Sequence, residues 1–132
     1  MPQSRFDVIA AETALQVAAP DGSTVHILCA TGRGSSILFE LPPGAVSTAV
    51  AHRTIEEIWF VVSGNGRLWR GDEDTEIVAD LAAGMSLAIP VGVAFQFRCD
   101  GPEALRIFAV TIPPWPGPDE AYATAGKWAP TV

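Results

Sequence analysis

Apolar residues come in short bursts along this chain, and glycine or proline closes each burst about every 8–12 residues. β-Branched and aromatic side chains crowd the bursts, a rhythm that predicts the strands of a sandwich or barrel rather than helices. Strands are predicted over residues 15–18, 24–30, 36–41, 46–52, 57–63, 67–70, 76–80, 86–89, 94–99 and 105–112. Two turns carry their own mechanism. Pro20-Asp21-Gly22 presets one φ with proline and accepts a positive one with glycine. Gly64-Asn65-Gly66 predicts a hairpin between 57–63 and 67–70. Helical turns are expected only at 7–14 and 119–123. The proline-rich segment 113–118 cannot lie in a central strand, because proline donates nothing to a ladder. It is expected to wrap the barrel surface with Trp115 packed down as an anchor.

Strand 57–63 is the most informative. Period-2 alternation puts Glu57, Trp59 and Val61 on one face, and Ile58, Phe60 and Val62 on the other. Both rows are apolar apart from Glu57. The outward row therefore needs cover, from the tail or from a second copy, and a homodimer is the expectation.

Composition narrows the function classes. The 132 residues suit one domain, 1–132, and 48% hydrophobic against 17% charged residues implies a filled core. A net charge of −7, with no run of basic residues, argues against a nucleic-acid partner. No apolar run approaches the ~20 residues of a membrane span, and the N-terminus shows no signal-peptide apolar stretch. Cys29 and Cys99 form no CxxC and read as core hydrophobes in a reducing cytoplasm.

Two spaced motifs bring in candidate chemistry. Gly44, Val50, His52, Glu57 and Gly64 fit G(X)5-H-X-H-(X)4-E-(X)6-G across 44–66, with Val50 in the first histidine position. Gly84, Pro90, Gly92 and Phe95 fit G(X)5-P-X-G-(X)2-H within 84–99, with Phe95 in the histidine position. By these motifs the chain resembles the cupin superfamily, over roughly residues 34–112. The wording around His52, with Phe95-Gln96-Phe97-Arg98 and Pro113-Pro114-Trp115-Pro116-Gly117, is similar to that of short single-domain bacterial cupins of unassigned function. The resemblance implies an all-β, double-stranded β-helix: a jelly-roll barrel of two antiparallel sheets. It also implies a metal centre of three histidines and one glutamate, of which this chain keeps only His52 and Glu57.

Valine and phenylalanine cannot coordinate a cation, and two protein ligands hold one weakly. The expectation is therefore no tightly bound cofactor, with a weakly held divalent metal as the alternative. His26 is the only other histidine, and the sequence leaves open whether it faces inward. His52 and Glu57 are the candidate catalytic residues: a His–Glu pair in a dry pocket can act as acid and base, or can serve as a buried hydrogen bond. Trp59, Phe95, Phe97 and Arg67 are the candidate ligand-binding residues, the aromatics as pocket walls and Arg67 as a partner for a carboxylate. Arg98 and Arg106 are weaker versions of the same idea. Three functions remain open: a metal-independent acid–base enzyme (isomerase, cyclase or lyase), a non-catalytic small-molecule binder or sensor, and a metal-dependent dioxygenase.

Overall fold

A computed structural model describes residues 6–132. The N-terminal segment read for an export signal begins in residues 1–5, outside the described ones. A single 3₁₀ turn at Ala11–Thr13 precedes eleven strands. These are β1 Gln16–Ala18, β2 Thr24–Ala30, β3 Ser35–Leu41, β4 Val50–His52, β5 Glu56–Ser63, β6 Asn65–Gly71, β7 Glu76–Ala82, β8 Ser86–Ile89, β9 Ala94–Cys99, β10 Leu105–Ile112 and β11 Ala121–Ala123. They form two antiparallel sheets, β1-β2-β3-β10-β5-β8 and β11-β4-β9-β6-β7. The expected two-sheet jelly roll is present, as two facing sheets rather than one closed cylinder. Among the described residues no helix is long and apolar enough to cross a membrane.

The core sits between the sheets. From β5, β10, β6 and β9 it takes Trp59, Val61, Ile107, Leu68 and Phe97, all at most 1% exposed. Burial alternates along β5 and β10 as a half-buried strand requires, with Glu57, Trp59 and Val61 inward and Ile58, Phe60 and Val62 outward. Phe39, Trp59 and Phe97 meet edge to face at centroid separations of 4.8–5.4 Å. Such pairs add to the stabilisation from burial alone.

The structure corrects four expectations. Gly64-Asn65-Gly66 closes no hairpin: β5 pairs with β10 and β8, while β6 pairs with β7 and β9. Gly64, at φ +87°, carries the chain from one sheet into the other. Gly66 then lets β6 lie against β9, since a Cβ there would fall 1.9 Å from the Arg98 carbonyl oxygen. The segment 119–123 is a strand at its end, not a helical turn: Ala121, Tyr122 and Ala123 pair with His52, Ala51 and Val50. An open strand edge with Arg53 stacked 4.7 Å over Tyr122 outweighs local preference. The helix expected over 7–14 shrinks to three residues, and the strand expected over 46–52 keeps only 50–52, with Val46 left as a lone bridge to Arg98.

The C-terminal segment is tied down by one side chain. Gln96 is 1% exposed and uses both ends of its amide. Its Nε2 donates to the Ser47 and Trp128 carbonyls at 2.8 Å, and its Oε1 accepts from the Lys127 and Trp128 N–H groups at 2.9 Å.

Candidate functional site

Cross-strand register sorts the inner face of the six-stranded sheet into rows. One row runs Ser35–Thr111–Glu57–Ile89, the next Ile37–Ala109–Trp59–Leu87, and the third Phe39–Ile107–Val61. The first row is polar up to its last member, Ile89, and the other two are apolar, so the space in front of this sheet has a hydrogen-bonding end and a greasy end. Within the polar row the Ser35 and Thr111 hydroxyls bond to one another, and Ser35 Oγ also accepts from the Trp115 N–H at 2.9 Å.

The facing sheet supplies His52, Val50 and Phe95. β11 and the 90–92 turn clamp His52: its strand partner is Ala121, and its carbonyl accepts from Gly92 N–H at 3.0 Å. Val50 and Phe95 are directly paired across β4 and β9. The two positions where the motifs would carry histidines are thus adjacent, and both line the opening. Together the sheets enclose a cavity of about 1260 Å³ with His52, Glu57, Trp59, Phe95, Val50 and Trp115 in its wall.

His52 and Glu57 are 4% and 5% exposed, with Nδ1 of one 3.9 Å from Oε1 of the other. That separation is too long for a hydrogen bond. Glu57 Oε1 instead accepts from Trp59 Nε1 at 3.1 Å, and His52 Nδ1 is fully buried with no partner among the described residues. A buried polar atom without a partner is costly, and a catalytic role is one of the reasons a fold keeps one. A third atom could lie about 2.8 Å from both only once the imidazole turns, because Nδ1 is fully buried in this arrangement.

Burial sets the electrostatics. It pushes the Glu57 carboxyl up to about 7, against the Trp59 hydrogen bond and with the help of nearby Asp21. Burial also lowers His52 below its ordinary 6.5, which the charge of Glu120 partly offsets. Glu120 lies behind β4, where burial works upward on its carboxyl. Hydrogen bonds from the Thr54 hydroxyl and the Thr54 and Ile55 N–H groups overcome that and hold it low. Near neutrality the pair is a neutral imidazole beside a half-protonated carboxyl. Opposite displacements of this kind separate an acid from a base.

The sequence-derived candidates divide. His52, Glu57, Trp59 and Phe95 come together in one wall, with Phe95 and Trp115 rings 5.3 and 5.6 Å from the imidazole. Phe97 and Arg67 lie outside the lining. Phe97 packs behind Trp59 at 5.3 Å as core. Arg67 is outside the barrel, where its guanidinium forks onto Asp100 at 2.7 and 3.2 Å. An outward strand position beside an acidic neighbour gives an arginine no reason to turn inward. Arg98 joins the same carboxylate and Arg106 faces Glu40, so neither reaches the cavity. His26 is also settled. Its Nε2 meets Glu40 at 2.6 Å and its Nδ1 meets the Ala11 carbonyl, while its neighbours Val25 and Ile27 line the cavity.

Three site residues went unread in the sequence. Trp115 anchors not on the outer surface but over His52. Asp21 caps its own turn, taking the Ser23 N–H at 2.9 Å and the Ser23 hydroxyl at 2.6 Å on Oδ1, and also faces the cavity. Thr111 ends the inward row of β10 after Leu105, Ile107 and Ala109, a polar break in an apolar alternation that was there to be seen.

The donor set does not fit a cupin-type metal. Val50 and Phe95 offer nothing, and the oxygen of Glu57 nearest His52 is engaged with Trp59. Among the described residues no three His, Cys, Asp or Glu side chains converge on one point.

Comparison with known proteins places this geometry. The family model described as "Cupin domain" matches residues 37–111. An uncharacterized protein of Streptomyces coelicolor is 33% identical over 115 residues, 86% of this chain and 98% of its own length. Solved structures agree in fold. A conserved protein with a double-stranded β-helix domain from Klebsiella pneumoniae superposes with a TM-score of 0.70 at 18% identity, over 94% of this chain and all of that one. Oxalate decarboxylase from Bacillus subtilis gives 0.74 at 14% identity over 87% of this chain. A capsular polysaccharide assembling protein of Staphylococcus aureus gives 0.71 at 20% identity over 83% of this chain. This chain spans about a third of either of those two, 31% and 33%.

Proposed function

The chain belongs to the cupin family, and from that premise we propose that it takes up a small organic molecule in the barrel cavity, where His52 and Glu57 act on it as base and acid without a tightly bound metal. One observation carries this reading. A buried imidazole nitrogen with no partner among the described residues faces a buried carboxyl raised to about 7 across 3.9 Å, at the wall of a cavity of about 1260 Å³. A purely structural pair would close to hydrogen-bond distance, because an unmade buried bond costs about 1–3 kcal/mol. A pair held short of contact keeps both groups available to a third atom once the imidazole turns toward the cavity. Proton transfer between such groups serves an isomerisation, a cyclisation or an elimination, none of which needs an oxidant.

The test combines elemental analysis with a variant. The purified protein should carry a cation at well below one per chain, and chelator should leave binding and turnover unchanged. His52→Ala should abolish turnover. If the protein binds without catalysing, the same change should weaken affinity by about 1–3 kcal/mol. A cation held by His52, Glu57 and a third protein ligand would overturn the metal-free reading and restore the dioxygenase.

The same reading includes a homodimer. Ile58, Phe60 and Val62 stand outward on β5 at 50%, 46% and 44% exposure, with Phe108 and Val110 of β10 beside them. A sheet face of this kind supports pairing with a second copy. Phe60→Glu is expected to shift the mass measured by light scattering at tens of micromolar from dimer to monomer. A wild-type protein that is already monomeric there would remove the proposal. Cys29 and Cys99 are free thiols, which supports a cytoplasmic setting.

A further inference from the structure

On the reading that this cavity is the ligand site, we propose that it is built for an organic cation: a protonated amine on an apolar body, and not a carboxylate or phosphate. Among the described residues its wall holds three ionisable side chains, Asp21, His52 and Glu57, and no lysine or arginine. Arg67, Arg98 and Arg106 are spent outside it, on Asp100 and Glu40, and Arg70 donates to the Ala88 carbonyl. An anion would therefore meet two carboxyl groups with no positive charge to offset its desolvation.

A cation meets the reverse. Asp21 uses only Oδ1, for Ser23, and Glu57 uses only Oε1, for Trp59; the second oxygen of each takes no hydrogen bond among the described residues. Two carboxyls with spare acceptor capacity in one cavity repel each other once ionised, and each raises the cost of ionising the other; an ammonium group removes that cost. Burial holds His52 below its ordinary value, so the imidazole adds no competing positive charge at neutral pH. Trp59, Phe95, Trp115 and Phe39 line the same space, and aromatic ring faces attract ammonium cations through their quadrupole. The net charge of −7 draws cations toward the mouth at longer range. The Asp21 end would anchor the ammonium and leave His52 and Glu57 free to work on the rest of the molecule.

Three probes of similar shape test this: phenethylamine, phenethyl alcohol and 3-phenylpropanoate, titrated into the full chain at pH 7. Calorimetry gives affinity, and the Trp59 indole N–H resonance reports occupancy of the cavity. Phenethylamine is expected to bind at least tenfold more tightly than the alcohol, with no binding of the propanoate. Asp21→Asn keeps an acceptor for Ser23 and should reduce the amine's advantage to within about twofold. Glu57→Gln, a second isosteric change at the other end of the pair, should narrow it as well. If all three probes shift the Trp59 resonance with equal affinity, or if the propanoate binds best, the charge preference is wrong while the cavity remains the ligand site. If none of them shifts it, the site assignment falls and the ligand class with it.

Discussion

Replacing Glu57 with glutamine is expected to stabilise the fold by about 3 kcal/mol at pH 8 and to leave it unchanged at pH 4. The carboxyl titrates at about 7 in the folded chain against an ordinary 4.5, because burial penalises its ionised form. Between those values the folded state holds a proton that the unfolded state has released, so stability falls as pH rises across that window. Above pH 7 the accumulated loss, taken from the gap between 4.5 and about 7, is about 3 kcal/mol. Glutamine cannot ionise, so the loss disappears, and its carbonyl still accepts from Trp59 Nε1. His52 runs the other way. Its folded value lies below 6.5, so its contribution to stability rises with pH up to 6.5. Urea unfolding at pH 4, 6 and 8 separates the two. A Glu57→Gln curve that lies parallel to the wild type at all three pH values would show that the carboxylate carries no strain. The same substitution should remove turnover: a residue that weakens the fold at working pH and is needed for activity is serving the site rather than the core.

The second large effect lies on the opposite sheet. Gln96→Leu should cost about 4 kcal/mol, because one buried and three part-buried backbone groups lose a shared partner, and each unpaired group costs about 1–3 kcal/mol unless water reaches it. Water reaches them if 124–132 lifts away, so the loss should be well below the full sum. The local signature is faster amide exchange at Lys127 and Trp128, whose N–H groups rest on Gln96 Oε1. Gly126 leaves no slack, since a Cβ there would fall 2.5 Å from Gln96 Oε1. Intact exchange protection at 127 and 128 in the variant would mean that the tail is held by Thr131, Thr48 and packing alone.

These two side chains also mark how far the sequence could be read. Glu57 was placed inward by alternation with Trp59 and Val61, which needs only one strand and a period of two. Its height in the cavity depends on its partners Thr111 and Ile89, which come from β10 and β8, and no local pattern specifies them. The motif glycines located the bends correctly but not their purpose. Gly64 has the positive φ its turn implied, yet the strands it joins belong to different sheets, a matter of global topology. Asp21 looked like turn chemistry because it is turn chemistry. That its turn folds over the pocket depends on contacts distant in sequence: Thr48 N–H meets the Asp21 carbonyl at 2.8 Å, and Val132, at the far end of the chain, packs on Gly22. Trp115 was expected to pack, and does, but on an imidazole. The outward placement of Arg67 follows from Asp100, thirty-three residues away.

The crossing at Gly64 has a consequence for how the protein comes to exist. β5 leaves the ribosome with its inward tryptophan and outward isoleucine, phenylalanine and valine all exposed, and its successor in the chain does not pair with it. Its first partner is β8, and its central partner is β10, which ends at Ile112. β3 waits for the same strand. Until residue 112 has emerged, one sheet is two halves lacking the strand that joins them. Assembly is therefore late and nearly simultaneous, in the slow, non-local regime of all-β domains. The nascent chain carries β5 without its central partner from residue 63 until residue 112, which makes β5 the place where crowding, chaperones or an early stop codon would be felt first.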